Sequence, residues 1–493
     1  MRDLKTDDRQ LQSATQVTKR QFANGKVFAA GLLIVFMPML PLRAQVSDTW
    51  LGHWWLGMIE DASLPLNISF DKDSSGDVAP VLYSPMQKAE PIRPSSWAFS
   101  NDSLSIQIKS LGIKMTLRYE AYDSSFSGRF KQGLLSTHIT FRPSNGLFEP
   151  RRPQEPQQPF PYIETRLILK RKVGHKKIHI GATLTVPGEA DGNIPCVLLV
   201  SGSGMQNRDE ELLGHKPFWI LADYLARNGI ASLRYDDRGT GESTGDVASV
   251  TTDILADDAE WIFDWLCKQK HIDRKRIGII GHSEGGVIAP IIASRNRNVA
   301  FIVLLAGPGV KGSEILRTQN RDLLLAKGVD STLVERRDAF LYDCFEAAAN
   351  NKKGDLDSLF KAYAQTHSKG LTKPDKKKAG LTAFEASQMA LQMRTPWMRR
   401  FLQLDPTVYL KRVRCPVLAM NGEKDLQVSA RENLAAISRC VNPKLLTVVH
   451  LDGLNHLFQH CNTGLPSEYL LIEETFSPEA LDTIAKWILG IKI

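Results

Sequence analysis

Two pentapeptides, Gly281-His-Ser-Glu-Gly285 and Gly241-Glu-Ser-Thr-Gly245, set a serine between glycines in the pattern of a sharp strand-to-helix turn. Such a turn exposes a hydroxyl. Acyl transfer by that hydroxyl also needs a base to take its proton, an acid to orient the base, and donors aimed at the developing oxyanion. The pentapeptide alone is weak evidence, since ordinary Gly and Ser usage produces it by chance about once in several chains of this length. Context separates the two copies. Ser283 follows the apolar run Arg276-Ile-Gly-Ile-Ile280 and precedes Gly285–Ala293, so a buried strand and a helix flank it, with Pro290 early enough in the helix to be tolerated. Ser243 lies between Asp236-Asp-Arg-Gly-Thr-Gly241 and Asp246-Val-Ala-Ser249, which reads as a loop. Ser283 is the candidate nucleophile.

An acid and a base follow in the chain order Ser, Asp, His. Asp425 closes Asn421-Gly-Glu-Lys-Asp425, directly after the apolar run Pro416–Met420, and so falls at a strand's C-terminal edge, where open α/β sheets keep their sites. Glu423 is the competing acid. His456 ends Gly453-Leu-Asn-His456, just past the run Leu445–His450. His450 inside that run and His460 beyond it read as packing or surface residues, and Asp452 as a solvated one. The oxyanion donors expected are the backbone N–H of Glu284 and one from the loop Ser201-Gly-Ser-Gly204; that of Ser203 is favoured, with Gly204 and Met205 open. No strand is followed by Gly-x-Gly-x-x-Gly, and neither a P-loop nor His-Glu-x-x-His occurs. Dinucleotide, nucleoside triphosphate and zinc chemistry therefore lack support, and no cofactor or metal is expected.

The elements that must hold these residues are legible as periodicity. From about residue 162, short apolar runs at Ile194–Val200, Ile230–Tyr235, Arg276–Ile280, Ala300–Ala306, Pro416–Met420 and Leu445–His450 alternate with amphipathic segments such as Pro217–Asn228 and Thr252–Gln269. This predicts an α/β domain over 162–493 with a mostly parallel sheet and flanking helices. Ser313–Pro406 breaks the alternation with helical segments alone, which predicts a cap insertion at about 309–408, Thr395-Pro396 starting its last helix. Trp397 and Phe401 in that helix are candidate substrate contacts, while Lys373–Lys378 reads as a solvated loop. Residues 45–146 alternate with period 2, as in Leu64/Leu66/Ile68/Phe70 and Ile113/Met115/Leu117/Tyr119, and predict a small antiparallel β domain with Trp50, Trp54 and Trp55 in its core. Between them, Pro150, Pro153, Pro156 and Pro159 recur every third residue, the mark of a stiff polyproline linker over 147–161.

Taken in order, Ser201-Gly-Ser-Gly-Met-Gln-Asn-Arg-Asp209, Tyr235-Asp-Asp-Arg-Gly-Thr-Gly241, Gly281-His-Ser-Glu-Gly285, Asn421-Gly-Glu-Lys-Asp425 and Leu454-Asn-His456 resemble bacterial α/β hydrolases of the serine esterase type, related to the prolyl oligopeptidase and acyl-CoA thioesterase branches. The resemblance spans about residues 160–493. It implies the α/β-hydrolase fold and carboxylesterase activity, with Ser283, Asp425 and His456 matching the family triad. The expected substrate is a small-molecule ester, an acylated carbohydrate among the options. A peptidase or a thioesterase on the same fold is one alternative, and a non-catalytic binding protein retaining that fold is the other. Met205 and Asn207 stand where related esterases often have Pro and Asp. Arg208 and Asp209 are expected to hold the loop rather than touch substrate.

Composition agrees with an ordinary globular chain: 493 residues, 43% hydrophobic and 24% charged. Of the formal net charge of +8, residues 1–44 supply half, through seven Lys/Arg against three Asp, and the remainder is too mild to suggest nucleic acid. The apolar run Val27–Leu42 behind that basic flank, ending at Leu42-Arg43-Ala44, reads as a signal peptide cleaved after Ala44. The mature protein is then periplasmic or secreted, with membrane contact only through an uncleaved signal segment. Six cysteines are scattered without metal spacing, and Cys440 with Cys461 is the one pair considered for a bridge.

Overall fold

The computed structural model describes residues 50–491, apart from short stretches at 60–63, 87, 101, 134, 189–193, 271 and 351–354. The signal segment expected at 1–44 lies outside the described residues. Among the described residues, seventeen strands form two sheets.

The first sheet is antiparallel, with β1–β9 at Trp54–Ile59, Leu64–Lys72, Val78–Ser84, Lys88–Ile92, Ser96–Ser100, Ser103–Ile108, Ile113–Glu120, Ser125–Gln132 and Leu135–Ser144. Their order is β4-β3-β2-β1-β9-β8-β7-β6-β5. In β7 burial alternates residue by residue, so Ile113, Met115 and Leu117 reach the core while Lys114, Thr116 and Arg118 face water. Phe70, Phe126, Phe130 and Phe141 fill that core. Trp50 stacks on Trp55 at 5.2 Å and sets its edge against Phe70 and Tyr119, so these two pack inward. Trp54, expected beside them, is half-buried on the opposite face of β1 and meets Tyr83 at 5.0 Å, because adjacent strand residues point to opposite sides.

The second sheet carries β10–β17 at Tyr162–Val173, Lys176–Pro187, Ile194–Val200, Ala231–Tyr235, Ile272–His282, Phe301–Leu305, Val417–Gly422 and Leu446–Leu451, in the order β10-β11-β13-β12-β14-β15-β16-β17. The hairpin β10–β11 joins antiparallel, and β12 to β17 are parallel. Every residue of β12, β13, β15 and β16 is buried, because helices cover both faces. On one face lie α2 (Thr252–Leu266), α3 (Gly285–Arg295) and α11 (Ala430–Cys440); on the other lie α1 (Pro217–Arg227) and α12 (Pro478–Gly490).

Between β15 and β16 stand α4 to α10, at Gly312–Ala326, Ser331–Asn350, Leu356–His367, Lys373–Lys378, Ala383–Gln392, Pro396–Gln403 and Thr407–Leu410. Much of this insertion packs on itself, with Phe340, Phe345, Phe360, Met389 and Leu402 in a core of its own. One expectation is corrected. Lys373–Lys378 is a helical turn and a half, because Thr372 accepts the N–H of Asp375 as an N-cap and Pro374 sits in the first turn. All six cysteines, Cys440 and Cys461 included, are free. The proline segment is also more than a spacer. The Arg152 guanidinium donates to the carbonyls of Leu213, Leu470 and Ile472, and Gln154 exchanges hydrogen bonds with Thr475 and Phe476.

Candidate active site

Ser283 occupies the turn between β14 and α3 with φ at +52°, a left-handed conformation rare for a residue with a Cβ. Its N–H donates to the Leu305 carbonyl at 2.9 Å, which ties the turn to β15. The flanking glycines are sterically required. A Cβ on Gly281 would lie 2.0 Å from the Gly285 carbonyl oxygen, and one on Gly285 2.1 Å from that of Val200.

Asp425 follows β16 and His456 follows β17, at adjacent parallel strand ends. Asp425 Oδ2 lies 2.8 Å from His456 Nδ1, while Oδ1 accepts the N–H groups of Gln427 and Val428 at 2.8 Å each. Both residues are buried. With Nδ1 held by the carboxylate, Nε2 is the nitrogen left for proton transfer. Ser283 and His456 line one cavity of about 230 Å³ together with Gly202, Ser203, Glu284, Trp397 and Phe401. Gly202 lets the 201–204 loop approach, since a Cβ there would stand 3.0 Å from Ser283 Cβ. Its own N–H is taken by Glu210 Oε1 at 2.5 Å, whereas no acceptor among the described residues takes the N–H of Ser203 or Glu284.

The alternatives weighed in the sequence lie elsewhere. Glu423 accepts the N–H of Gly453 at 2.9 Å and faces solvent. Asp452 is exposed beside His450, and His460 pairs with Glu474. Ser243 is buried and spent on scaffolding: its hydroxyl accepts the Gly181 N–H at 2.9 Å and donates to the Asp236 carbonyl at 2.8 Å. Arg208 and Asp209 hold the loop through different partners, Arg208 with Asp236 and Glu242, Asp209 with Arg234.

Three acids beside the serine were not anticipated. The side chain of Glu284 is buried and receives Thr252 Oγ1 at 2.6 Å and the Trp397 indole N–H at 2.9 and 3.0 Å. Burial raises its pKa against those hydrogen bonds. Asp237 is pushed up to about 7, chiefly by burial, with the charges of Glu284 and Glu210 adding to it. Glu210 pairs with His282, the residue preceding the serine. No spacing in the sequence reports these side-chain contacts, because their partners are distant along the chain.

A mostly parallel sheet with a serine on a strained turn, and a buried Asp–His pair at the neighbouring strand ends, define an α/β hydrolase, and the protein is a serine hydrolase of that class. The chain belongs to the X-Pro dipeptidyl-peptidase (S15) family, whose model matches residues 176–460, more than half its length. Esterase EstD of Thermotoga maritima is 23% identical over 377 residues, 75% of this chain and 80% of that protein. An uncharacterised 31.7 kDa protein of Escherichia coli, from the traX-finO intergenic region, is 25% identical over 258 residues, 52% of this chain and 81% of its own. Among solved structures, a thermophilic esterase from Thermogutta terrifontis aligns with a TM-score of 0.36 at 17% identity, over 66% of this chain and 98% of that one.

Proposed function

We propose that the protein hydrolyses small carboxylic esters through an acyl-enzyme on Ser283. The observation that carries this reading is the buried 2.8 Å contact between His456 Nδ1 and Asp425 Oδ2, beside a cavity that His456 shares with Ser283. His456 Nε2 takes the Ser283 proton as Oγ attacks the ester carbonyl carbon. The oxyanion faces the N–H groups of Glu284 and Ser203, the free donors on either side of the serine. Collapse of the tetrahedral intermediate breaks the bond to the alcohol oxygen, which leaves with the proton from His456. Water, deprotonated by the same imidazole, then attacks the acyl-enzyme, releasing the acid and restoring Ser283. Trp397 and Phe401 wall the cavity and limit the acyl group. Helices α4–α10 serve as the cap that carries them. Export to the periplasm or medium is the location expected from residues 1–44.

The family match favours one second reading, cleavage of an amide after proline by the same residues. A fluorophosphonate probe followed by parallel panels of nitrophenyl esters and X-Pro nitroanilides separates the two. Labelling at Ser283 with turnover of esters alone supports the esterase. Preferred turnover of the anilides replaces it with the peptidase, and absence of labelling removes both.

A further inference from the structure

The machinery proposed above uses Ser283, His456, Asp425 and two backbone donors, and leaves unexplained a second buried histidine and carboxylate directly behind it. His282 ends β14 with both ring nitrogens engaged. Nδ1 lies 2.9 Å from Glu210 Oε1, and Nε2 lies 3.0 Å from the main-chain carbonyl oxygen of His456. The same Glu210 oxygen accepts the Gly202 N–H. Glu210 itself sits at φ +51°, so its backbone adopts an unfavourable conformation where the carboxylate reaches Gly202 and His282. The rings of His282 and His456 are 4.9 Å apart, and neither His282 nor Glu210 is open to solvent.

A donor and acceptor inventory fixes what the ring must be. A backbone carbonyl can only accept, so Nε2 carries hydrogen; a carboxylate accepts, so Nδ1 carries hydrogen as well. Two acceptors on one imidazole define the imidazolium of a buried ion pair. Burial opposes that charge, but Glu210 by charge and hydrogen bond, the His456 carbonyl and the more distant Asp425 outweigh it, and the pKa of His282 is raised. Phe458, the other ring against His282, is apolar. The one further titrating ring against it is the His456 imidazole, 4.9 Å away.

We propose that His282 and Glu210 form a charged clamp that positions the catalytic parts relative to one another: the loop bearing Ser203 through Gly202, the serine turn through His282, and the base through the His456 carbonyl. The clamp touches no reacting atom, so its members are positioning residues, and the inference rests on the triad reading above. Loss of one ring proton leaves the Nδ1 lone pair facing a carboxylate oxygen, and the loop and the base lose their common anchor. A misplacement of about 1 Å between such parts lowers turnover by about 100-fold.

The test compares His282→Gln, His282→Phe and Glu210→Gln with wild type on one soluble ester. The expected result is a fall in kcat of roughly 10- to 100-fold with KM within about twofold. The His282→Gln variant should retain more activity than His282→Phe, because its side-chain amide can still donate an N–H to the His456 carbonyl. The double variant His282→Gln/Glu210→Gln should be no worse than the more damaged single variant, since the two act as one unit. Wild type should show an alkaline fall in kcat that is missing from His282→Gln. Unchanged kcat in all variants, additive losses, or an alkaline limb that survives in His282→Gln overturns the clamp. Should His282→Phe not fold, the two glutamine substitutions and the wild-type pH profile decide alone. Probe labelling of Ser283 in the wild-type protein keeps the two readings apart: a labelled enzyme with indifferent variants removes only the clamp, and an unlabelled one removes the triad reading as well.

Discussion

The indole N–H of Trp397 reaches both carboxylate oxygens of Glu284, at 2.9 and 3.0 Å, and so joins the helical insertion to the residue after Ser283. Trp397 also stacks on Phe401 at 5.1 Å, and both rings face the cavity that holds Ser283 and His456. One side chain therefore serves as cavity wall and as partner to a buried acid.

These two roles separate by substitution. Trp397→Phe keeps an aromatic wall but removes the donor, and should destabilise the protein by about 1–3 kcal/mol with little change in acyl preference. Trp397→Ala should do both, shifting preference toward longer chains. Denaturant melts and kcat/KM across an acetate-to-octanoate series measure the two effects.

The serine motifs test the site assignment against its rival. Ser283→Ala should abolish probe labelling and hydrolysis, His456→Ala should be nearly as severe, and Asp425→Asn somewhat milder, with losses reaching several orders of magnitude. Ser243→Ala should stay within about tenfold in rate yet lose roughly 1–3 kcal/mol of stability, because it strands the buried N–H of Gly181. A dead Ser243→Ala beside an active Ser283→Ala would sink the assignment.

Asp237 sets a pH dependence of stability. Its pKa rises from an ordinary 3.8 to about 7 on folding, so the folded state holds a proton that the unfolded state releases between these values. Its favourable contribution is complete below about pH 3.8 and is lost as pH rises through about 7. Asp237→Asn retains an acceptor for the Gln206 N–H and does not titrate. Its melting temperature relative to wild type should therefore climb from about pH 4 to about pH 7 and level off above, with a gain of at most roughly 4 kcal/mol. A flat difference across that range would refute the shift.

The proline segment yields a truncation test. A chain starting near residue 147 keeps Arg152 and Gln154 and their bonds to the 469–476 segment, whereas one starting at Tyr162 loses them. Both should turn over a small soluble ester, and the longer should melt several degrees higher. Equal melting temperatures would make those hydrogen bonds dispensable.

The candidate triad was legible because each member sits a few residues beyond an apolar run, and strand ends in a parallel sheet converge. The hairpin β10–β11 was not. Its exposed residues mix Ile163 and Ile168 with threonine, arginine, lysines and His179, so no clean apolar alternation marks it. The helix at Lys373–Lys378 was hidden by its own charge, although Thr372, Pro374 and Asp375 carry the start signal. The bonds from Trp397 to Glu284 and from His282 to Glu210 cross 113 and 72 residues, and no periodicity reports which side chains turn toward each other once the sheet has closed.

The self-packed core of α4–α10 bears on how readily this enzyme can change its diet. A segment that holds its own interior can accumulate substitutions on the face it turns to the cavity without disturbing the sheet below. Variation in that stretch is thus a ready source of new selectivity, for natural drift or for a mutagenesis library alike. The exceptions are Trp397 and Phe401: a library that randomises them also unsettles Glu284 or the core packed on the sheet, and will confuse lost specificity with a damaged catalyst.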